Sequence, residues 1–401
     1  MHSSDTQSTA STPLSSTTTH LKWQENGHDC EDEWRSERGA PVPKRVVLAD
    51  DTLSADSAYR LACAGTGMLW RGDFQNARLL LQALARRCDA PKKVKRASKT
   101  NTEASHTPQE NFHLHRQAQS QRARTLSMIL IQVNPDRQIS LRRAPDWRAA
   151  MKEAWGPAGT TGCVTSLREL LGLVGAHEWH EKGMEISALG SGPNNRIHPS
   201  YGVFSPVRGE YIQLVAEAPL PSFDAAFDIG VGTGVLSAVL AKRGVKRVVG
   251  TDLDPRALAC AKENIQRLGL KDKVELVQTN LFPEGKAPLV VCNPPWLPAR
   301  ASAPIERAIY DENSAMLRGF LAGLAEHLSP QGEGWLILSD LAEHLGLRTR
   351  AELETWIGEA GLKVLGKLDT KAEHKKVQDE TDPLHAARAA EVTSLWRLGH
   401  A

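Results

Sequence analysis

An α/β fold built on a doubly wound sheet is what this 401-residue sequence predicts, and three observations predict it. The first is an apolar segment, Ala225 to Ile229, that runs into Gly230-Val231-Gly232-Thr233-Gly234, then a helical pattern from Val235 to about Arg243. The second is the strand-like segment that follows, Val245 to Thr251, which ends on Asp252. Glycines take positive φ and let a ligand approach the main chain where a Cβ would collide. A carboxylate at the tip of the second strand can accept both hydroxyls of a ribose. The third is the alternation of strand and helix patterns from there to the C-terminus, the mark of helices layered on a sheet.

In chain order, residues 1–40 are Ser/Thr-rich and then charged, with almost no aliphatic residue after Leu21. Such a segment cannot bury enough apolar surface to offset its ordering entropy, so a disordered tail is expected. Residues 41–150 read as a mainly helical N-terminal domain. Leu79, Leu80, Leu81 and Leu84 repeat at helical spacing, and Gly65-Thr66-Gly67 divides the run from Asp56 to Arg87 into two helices. A polar, basic loop spans Ala90 to Gln109. A helix over Asn111 to Arg124 carries His113, His115, Arg116, Arg122 and Arg124, and a strand-like run, Leu126 to Val133, follows.

Between Arg86 and Ala150 there are 14 Lys and Arg against 5 Asp and Glu. These cations could contact nucleic-acid phosphates. They could equally form a solvated helix face beside a basic loop, and charge alone favours that second reading. Residues 151–198 read as a connector. His177 and His180, three apart, could meet on a helix, but nothing else at metal-ligand spacing accompanies them, and no metal site is expected.

Residues 199–401 carry the sheet. A segment from Tyr201 to Tyr211 leads into a helix that runs to about Glu217. Asp254 and Pro255 supply the N-cap and first position of a helix that stops at Leu268-Gly269. Strands follow at Val274–Gln278 and Leu289–Cys292, then an amphipathic helix through Leu317, Phe320, Leu321, Leu324 and Leu328. Strand Gly334–Ser339, helix Ala351–Ala360 and strands Leu362–Leu368 and Glu391–Leu398 bring the count to seven strands.

Formal charge nearly cancels, at +2, and no apolar run reaches the ~18 residues of a membrane span. Six scattered cysteines without a C-x-x-C pair suggest a reducing compartment, and no export signal is visible, so a cytoplasmic location is expected.

The dinucleotide fingerprint requires G-x-G-x-x-G, and here the third glycine comes one residue early. Two further features separate the chain from a dehydrogenase: Gln278-Thr279-Asn280-Leu281-Phe282 after the third strand, and Asn293-Pro294-Pro295-Trp296 directly after the fourth. On these residues the half of the chain from Pro199 to about Leu398 resembles the class I S-adenosylmethionine-dependent methyltransferases. It resembles in particular the Asn-Pro-Pro-aromatic branch, with its release-factor glutamine, ribosomal RNA guanine-N2 and adenine-N6 enzymes. The resemblance implies a Rossmann-like seven-stranded sheet and S-adenosyl-L-methionine as cofactor. It implies that Gly230, Gly232 and Gly234 pass the methionine part, that Asp228 orients that turn or the cofactor's amino group, and that Asp252 holds the ribose. Asn280 stands where many relatives have an Asp facing the adenine amino group. Asn293 and the Pro294 carbonyl would accept the two N–H hydrogens of a planar nitrogen and aim it at the methyl group. Pro294 and Pro295 would fix the backbone, and Trp296 would offer a flat face to the acceptor.

The expected activity is therefore S-adenosylmethionine-dependent N-methyl transfer to a planar amide or exocyclic amine. Ribosomal RNA or another nucleic acid is the favoured acceptor on the basic segment, and a protein glutamine is the alternative. A non-catalytic RNA-binding or assembly protein is the reading from another class, and the intact tetrapeptide argues against it. The loop from Arg300 to Asn313 and the segment Thr370 to Ala390, with Lys371, His374, Lys375, Lys376 and His385, should wall the acceptor pocket.

Overall fold

The computed structural model describes residues 19–90, 106–302, 304–371 and 375–401. Two large sheets organise them.

The N-terminal sheet departs from the helical domain expected. Its strands are β1 (His20–Glu25), β2 (His28–Trp34), β3 (Arg45–Ala49), β4 (Thr66–Trp70), β5 (Ile129–Val133) and β6 (Cys163–Ser166), in the order β1-β2-β6-β5-β4-β3. The expectation of a disordered tail over residues 1–40 fails from His20 onward; residues 1–18 lie outside the described ones. Strands β1 and β2 pair antiparallel from His20↔Glu33 to Glu25↔His28. Leu21 and Trp23 alternate inward against Leu69, Leu130 and Val164, and the acidic residues of β2 stay at the surface. The turn between the strands is Asn26-Gly27, both at positive φ (52° and 78°), which suits the twist of a two-residue hairpin.

The glycines at 65 and 67 do not separate two helices. Gly65 turns the chain at φ +75°, and Gly67 lies inside β4, where a Cβ would sit 2.6 Å from the Leu130 side chain. Helices α1 (Ala55–Cys63), α2 (Phe74–Asp89), α4 (Arg148–Trp155) and α5 (Leu167–Lys182) bury Phe74, Leu84, Met151 and Leu170 against one face. Strand β6 and helix α5 fall within the expected connector, so this layer extends well past residue 150. Helix α3 (Pro108–Leu126) opens on a capping box between Thr107 and Glu110.

A small β-ladder, β7 (Met184–Glu185) with β8 (Arg196–Ile197), precedes the second sheet. That sheet contains β9 (Ala225–Ile229), β10 (Arg247–Asp252), β11 (Val274–Gln278), β12 (Ala287–Cys292), β13 (Leu328–Ser339), β14 (Leu362–Lys371) and β15 (Val392–His400), ordered β11-β10-β9-β12-β13-β15-β14. Pairing is parallel from β11 to β13, while β15 runs antiparallel to both its neighbours. Helices α6 (Glu210–Glu217), α7 (Val235–Lys242) and α8 (Pro255–Arg267) cover one face, burying Val215, Val239 and Ile265. Helices α9 (Ala315–His327) and α11 (Arg350–Glu359) cover the other with Phe320, Leu324 and Ile357. Helices α10 (Leu341–His344) and α12 (His385–Ala390) frame the side facing the N-terminal layer. Among the described residues no helix is long and apolar enough to cross a membrane, and no group of three or more His, Cys, Asp or Glu could hold a metal ion. The six cysteines are free.

Candidate active site at the switch point of the second sheet

Strand order reverses between β9 and β12, and in open α/β sheets ligands bind in the crevice at such a point. The register shows what gathers there. Ile229 pairs with Thr251 on one side and with Cys292 on the other, and Asp252 pairs with Gln278. Gly230, Asp252 and Asn293, each the next residue along, therefore leave the sheet at one level. The sequence spreads these groups over more than 60 residues, and three ladders bring them to one edge.

The turn itself is fixed by its backbone. Gly230, Gly232 and Gly234 have φ of 78°, 51° and 81°, the left-handed region that costs a side-chain-bearing residue. A Cβ at Gly230 would lie 2.8 Å from the Met316 methyl, and one at Gly234 3.2 Å from Ala261 on α8. The Gly230 and Val231 amides both donate to the Thr251 carbonyl (2.9 and 2.7 Å), and the Gly232 amide donates to Asp252 Oδ2 (3.1 Å). Asp252 Oδ1 accepts from the Asp254 amide (3.0 Å). Each carboxylate oxygen thus has one backbone donor, which orients the half-buried group and leaves its outward lone pairs for a diol. Asn280 lies beyond the end of β11, exposed, next to Leu281 at φ 66°.

Asp228 lies beneath the turn. It is 1% exposed, and its Oδ2 accepts from the Ser237 amide (2.9 Å) and hydroxyl (2.6 Å), tying β9 to the start of α7. Of the two roles expected for it, orienting the turn fits this position better than reaching a ligand group. Burial pushes its carboxyl up to about 6, with the Ser237 hydrogen bonds opposing and the Asp252 charge adding to the rise. A carboxyl whose folded-state value is raised contributes stability that is complete below the unfolded value, near 3.8, and is lost as pH climbs through about 6. The native chain should gain more stability between pH 7 and pH 4 than Asp228→Asn, by at most roughly 3 kcal/mol. Urea unfolding of both chains across that range measures this, and parallel pH curves would remove Asp228 as the titrating group.

At the tetrapeptide, Asn293 is half-buried and its Oδ1 accepts from the Trp296 indole Nε1–H at 2.9 Å. Trp296 packs partly buried against both core clusters, and the Arg208 guanidinium lies 5.2 Å over its ring. Arg208 Nη1 donates to buried Glu391 (2.7 Å), which also accepts from the Ser339 hydroxyl (2.7 Å). Trp296 is thus braced from one side. One ring face meets a cation and the N–H is spent on Asn293. No local pattern in the sequence marks Arg208, because its partner Glu391 is 183 positions away.

In the described part of the basic segment, several cations are paired. Arg87 pairs with Asp56, Arg122 with Asp89, Arg142 and Arg143 with Asp73, and Arg148 with Asp146. These five described cations thus each have a carboxylate partner. Residues 91–105, where the expected basic loop falls, lie outside the described ones, as do 372–374. His177 and His180 both face Glu153 (2.5 and 3.7 Å), and His180 also lies 3.4 Å from Glu263, joining α4 and α5 to α8.

Parts of the two expected loops line one cleft. Leu297, one residue past Trp296, donates its amide to the Ile309 carbonyl, and its carbonyl accepts from the Asp311 amide. A cleft of about 1240 Å³ begins there, bounded by Ser302, Glu306 and Tyr310 on one loop and by Asp379 to Arg388 on the other. Its remaining walls, residues 38–45 and helix α3, come from the N-terminal layer and were not anticipated.

Residues 214–295 match the family model for ribosomal protein L11 methyltransferase (PrmA), a span that holds the glycine turn, Asp252, Asn280 and Asn293 to Pro295. Over 104 residues the chain is 38% identical to a ribosomal protein L11 methyltransferase of Vibrio parahaemolyticus, covering 25% of this chain and 35% of that protein. Over 113 residues it is 32% identical to a provisionally named protein N5-glutamine methyltransferase of Methanocaldococcus jannaschii, covering 28% and 55%. The chain thus spans about a third of the first relative's length and about half of the second's. A solved ribosomal protein L11 methylase from Lactobacillus delbrueckii subsp. bulgaricus aligns over 48% of this chain and 75% of that one, at 19% identity and a TM-score of 0.32.

Proposed function

We propose that the C-terminal domain is a class I S-adenosylmethionine-dependent methyltransferase and that the chain transfers a methyl group from S-adenosylmethionine to a planar amide nitrogen of a protein, a reading supported by the family match over residues 214–295 and by the relatives above. The observation that carries this reading is the common level at which Gly230, Asp252 and Asn293 leave the sheet. When bound, S-adenosylmethionine supplies a methyl group activated on a sulfonium. The open, positive-φ turn from Gly230 to Gly234 suits a ligand passing close to the main chain, Asp252 suits its ribose, and Asn280 suits an adenine edge. Asn293 Oδ1, already oriented by the Trp296 N–H, has a second lone pair with which to accept from the acceptor nitrogen. The Pro294 carbonyl would take the other N–H, with Pro294 and Pro295 holding φ. Holding those hydrogens supports the charge that develops on nitrogen, and the methylated product then sheds a proton to water.

A protein acceptor now stands ahead of ribosomal RNA. The names of the two relatives point to protein acceptors, and the pairing of Arg122 with Asp89 and of Arg143 with Asp73 weakens the charge argument for RNA. The free cysteines are in keeping with action in the cytoplasm. Labelled-methyl transfer to ribosomal protein L11, release factors and ribosomal subunits in parallel tests the acceptor. Label in RNA alone would overturn the protein reading.

The cofactor has its own check. S-adenosylmethionine and its demethylated product should each raise the melting temperature by mass action on the native state, and NAD should not. A larger shift with NAD would sink the assignment.

A further inference from the structure

The 1240 Å³ cleft is walled by both layers of the molecule and ends at Leu297, next to the tetrapeptide. Helix α3 crosses to the second sheet's loops. Arg116 Nη2 donates to the Arg300 carbonyl (2.7 Å), and its guanidinium stacks 4.1 Å over the Tyr310 ring. Arg38 and Arg116 flank Glu306 at 3.5 and 3.9 Å, and Arg388 pairs with Asp382 at 2.8 Å. These pairs leave an excess. Among the described residues, Lys44, Arg45, Arg124 and Arg168 line the cleft with no carboxylate partner.

Arg168 is the most confined of the four. It lies at the start of α5, reaches only the Ala123 carbonyl among the described residues, at 3.4 Å, and is largely screened from solvent. Burial and the neighbouring Arg38 and Arg122 guanidinia pull its pKa down, with Glu169 and Glu306 only partly opposing. A guanidinium in that setting is stabilised by any anion that enters the cleft.

We propose that this cleft docks an acidic segment of the acceptor polypeptide, holding its carboxylates on Arg168, Arg124, Lys44 and Arg45 while the modified residue reaches Asn293. The inference rests on the protein-acceptor reading above. Two features favour a polypeptide over RNA. The aromatic rings at the cleft are unavailable as stacking platforms for bases, since Phe112 is 1% exposed and Tyr310 is covered by Arg116. The walls also carry Asp379, Asp382 and Glu306, which repel a continuous phosphate backbone but leave room for separate carboxylates to meet separate cations. The N-terminal layer on this reading is the acceptor-selecting part of the molecule.

The test uses the full chain and three labelled probes: a dodecapeptide of Glu, Gln and Ala, its Lys counterpart, and a single-stranded RNA dodecamer. Fluorescence anisotropy should show the acidic peptide binding best and weakening as salt rises. The exposed triple variant Lys44→Gln, Arg45→Gln, Arg124→Gln should lose about tenfold or more in affinity, and Arg168→Gln should do the same. S-adenosylmethionine affinity, read by calorimetry, should stay within about twofold, showing that both variants are folded. Equal binding of the Lys peptide, indifference to the triple variant, or tighter RNA binding lost in the same variants would each overturn the proposal. Methyl-transfer assays separate its failure from that of the parent reading. Protein methylation with an unchanged KM in the triple variant ends the cleft proposal alone. Acidic-peptide binding as expected in a chain that methylates no protein leaves the cleft standing and ends the acceptor assignment.

Discussion

Replacing Asn293 by alanine is expected to cut kcat by roughly a hundredfold or more, a loss on the order of 3 kcal/mol, while S-adenosylmethionine affinity stays within about a few-fold. The reason is timing. An acceptor oxygen placed against a nitrogen that becomes positive during transfer stabilises the transition state far more than the ground state, so its loss appears in kcat. Trp296 sharpens the experiment. Its N–H holds Asn293 Oδ1 and its ring lies under Arg208, so it should act through Asn293 and not as an independent stacking surface. Trp296→Phe keeps an aromatic ring for Arg208 but removes the N–H, and a drop in kcat with little change in KM is expected. Methyl-transfer kinetics beside cofactor calorimetry for both variants provide the check. Near-normal kcat in Asn293→Ala would reduce the tetrapeptide to a turn and take away the main support for N-methyl transfer.

Asp252→Ala should give the second large effect, in binding: an S-adenosylmethionine Kd raised about a hundredfold. Hydrogen bonds to a charged group contribute about 1.5–3 kcal/mol each, and two ribose hydroxyls are at stake. Part of the loss is indirect, since the Gly232 amide would lose its acceptor and the turn its tie to the strand tip. Asp252→Asn separates the two contributions. It can keep an acceptor for Gly232 but loses the charge, so its Kd should fall between those of the other chains. Titration calorimetry on the three chains gives the ranking. An alanine variant that binds within a few-fold of the native chain would remove Asp252 from the ribose.

How much of this was legible depended on where each signal lay. The inner strands β9, β10 and β12 are apolar runs buried on both faces, and β9 and β11 begin and end where the sequence placed them. The glycine turn, Asp252 and Asn293 were equally plain, because their chemistry is confined to short contiguous motifs. The N-terminal sheet was hidden by its own asymmetry. Strand β2 carries five charged or histidine residues on a surface edge, and that charge masked the inward alternation of Leu21 and Trp23 on β1. The Asn26-Gly27 pair was the available hairpin signal. The brace on Trp296 and the N-terminal walls of the cleft were not legible at all. Both depend on residues more than 180 positions apart, Arg208 with Glu391 and Arg116 with the Arg300 carbonyl, which no local pattern connects.

The position of β15 has a consequence for the order of assembly. After β13 the chain skips one strand's width, lays down β14, and returns only with β15 to fill the gap. Until then β13 and β14 each expose an unpaired edge, the kind of surface on which neighbouring chains add. The loop that must close is long, so this pairing carries more chain entropy than the local strand–helix–strand units before it. Glu391 immediately precedes β15 and is the carboxylate that holds Arg208 over Trp296. The docking of β15 therefore both seals the sheet and places the partner of Arg208. A chain with β15 undocked lacks the Glu391 partner that holds Arg208 over Trp296, so that contact arrives with the completed sheet.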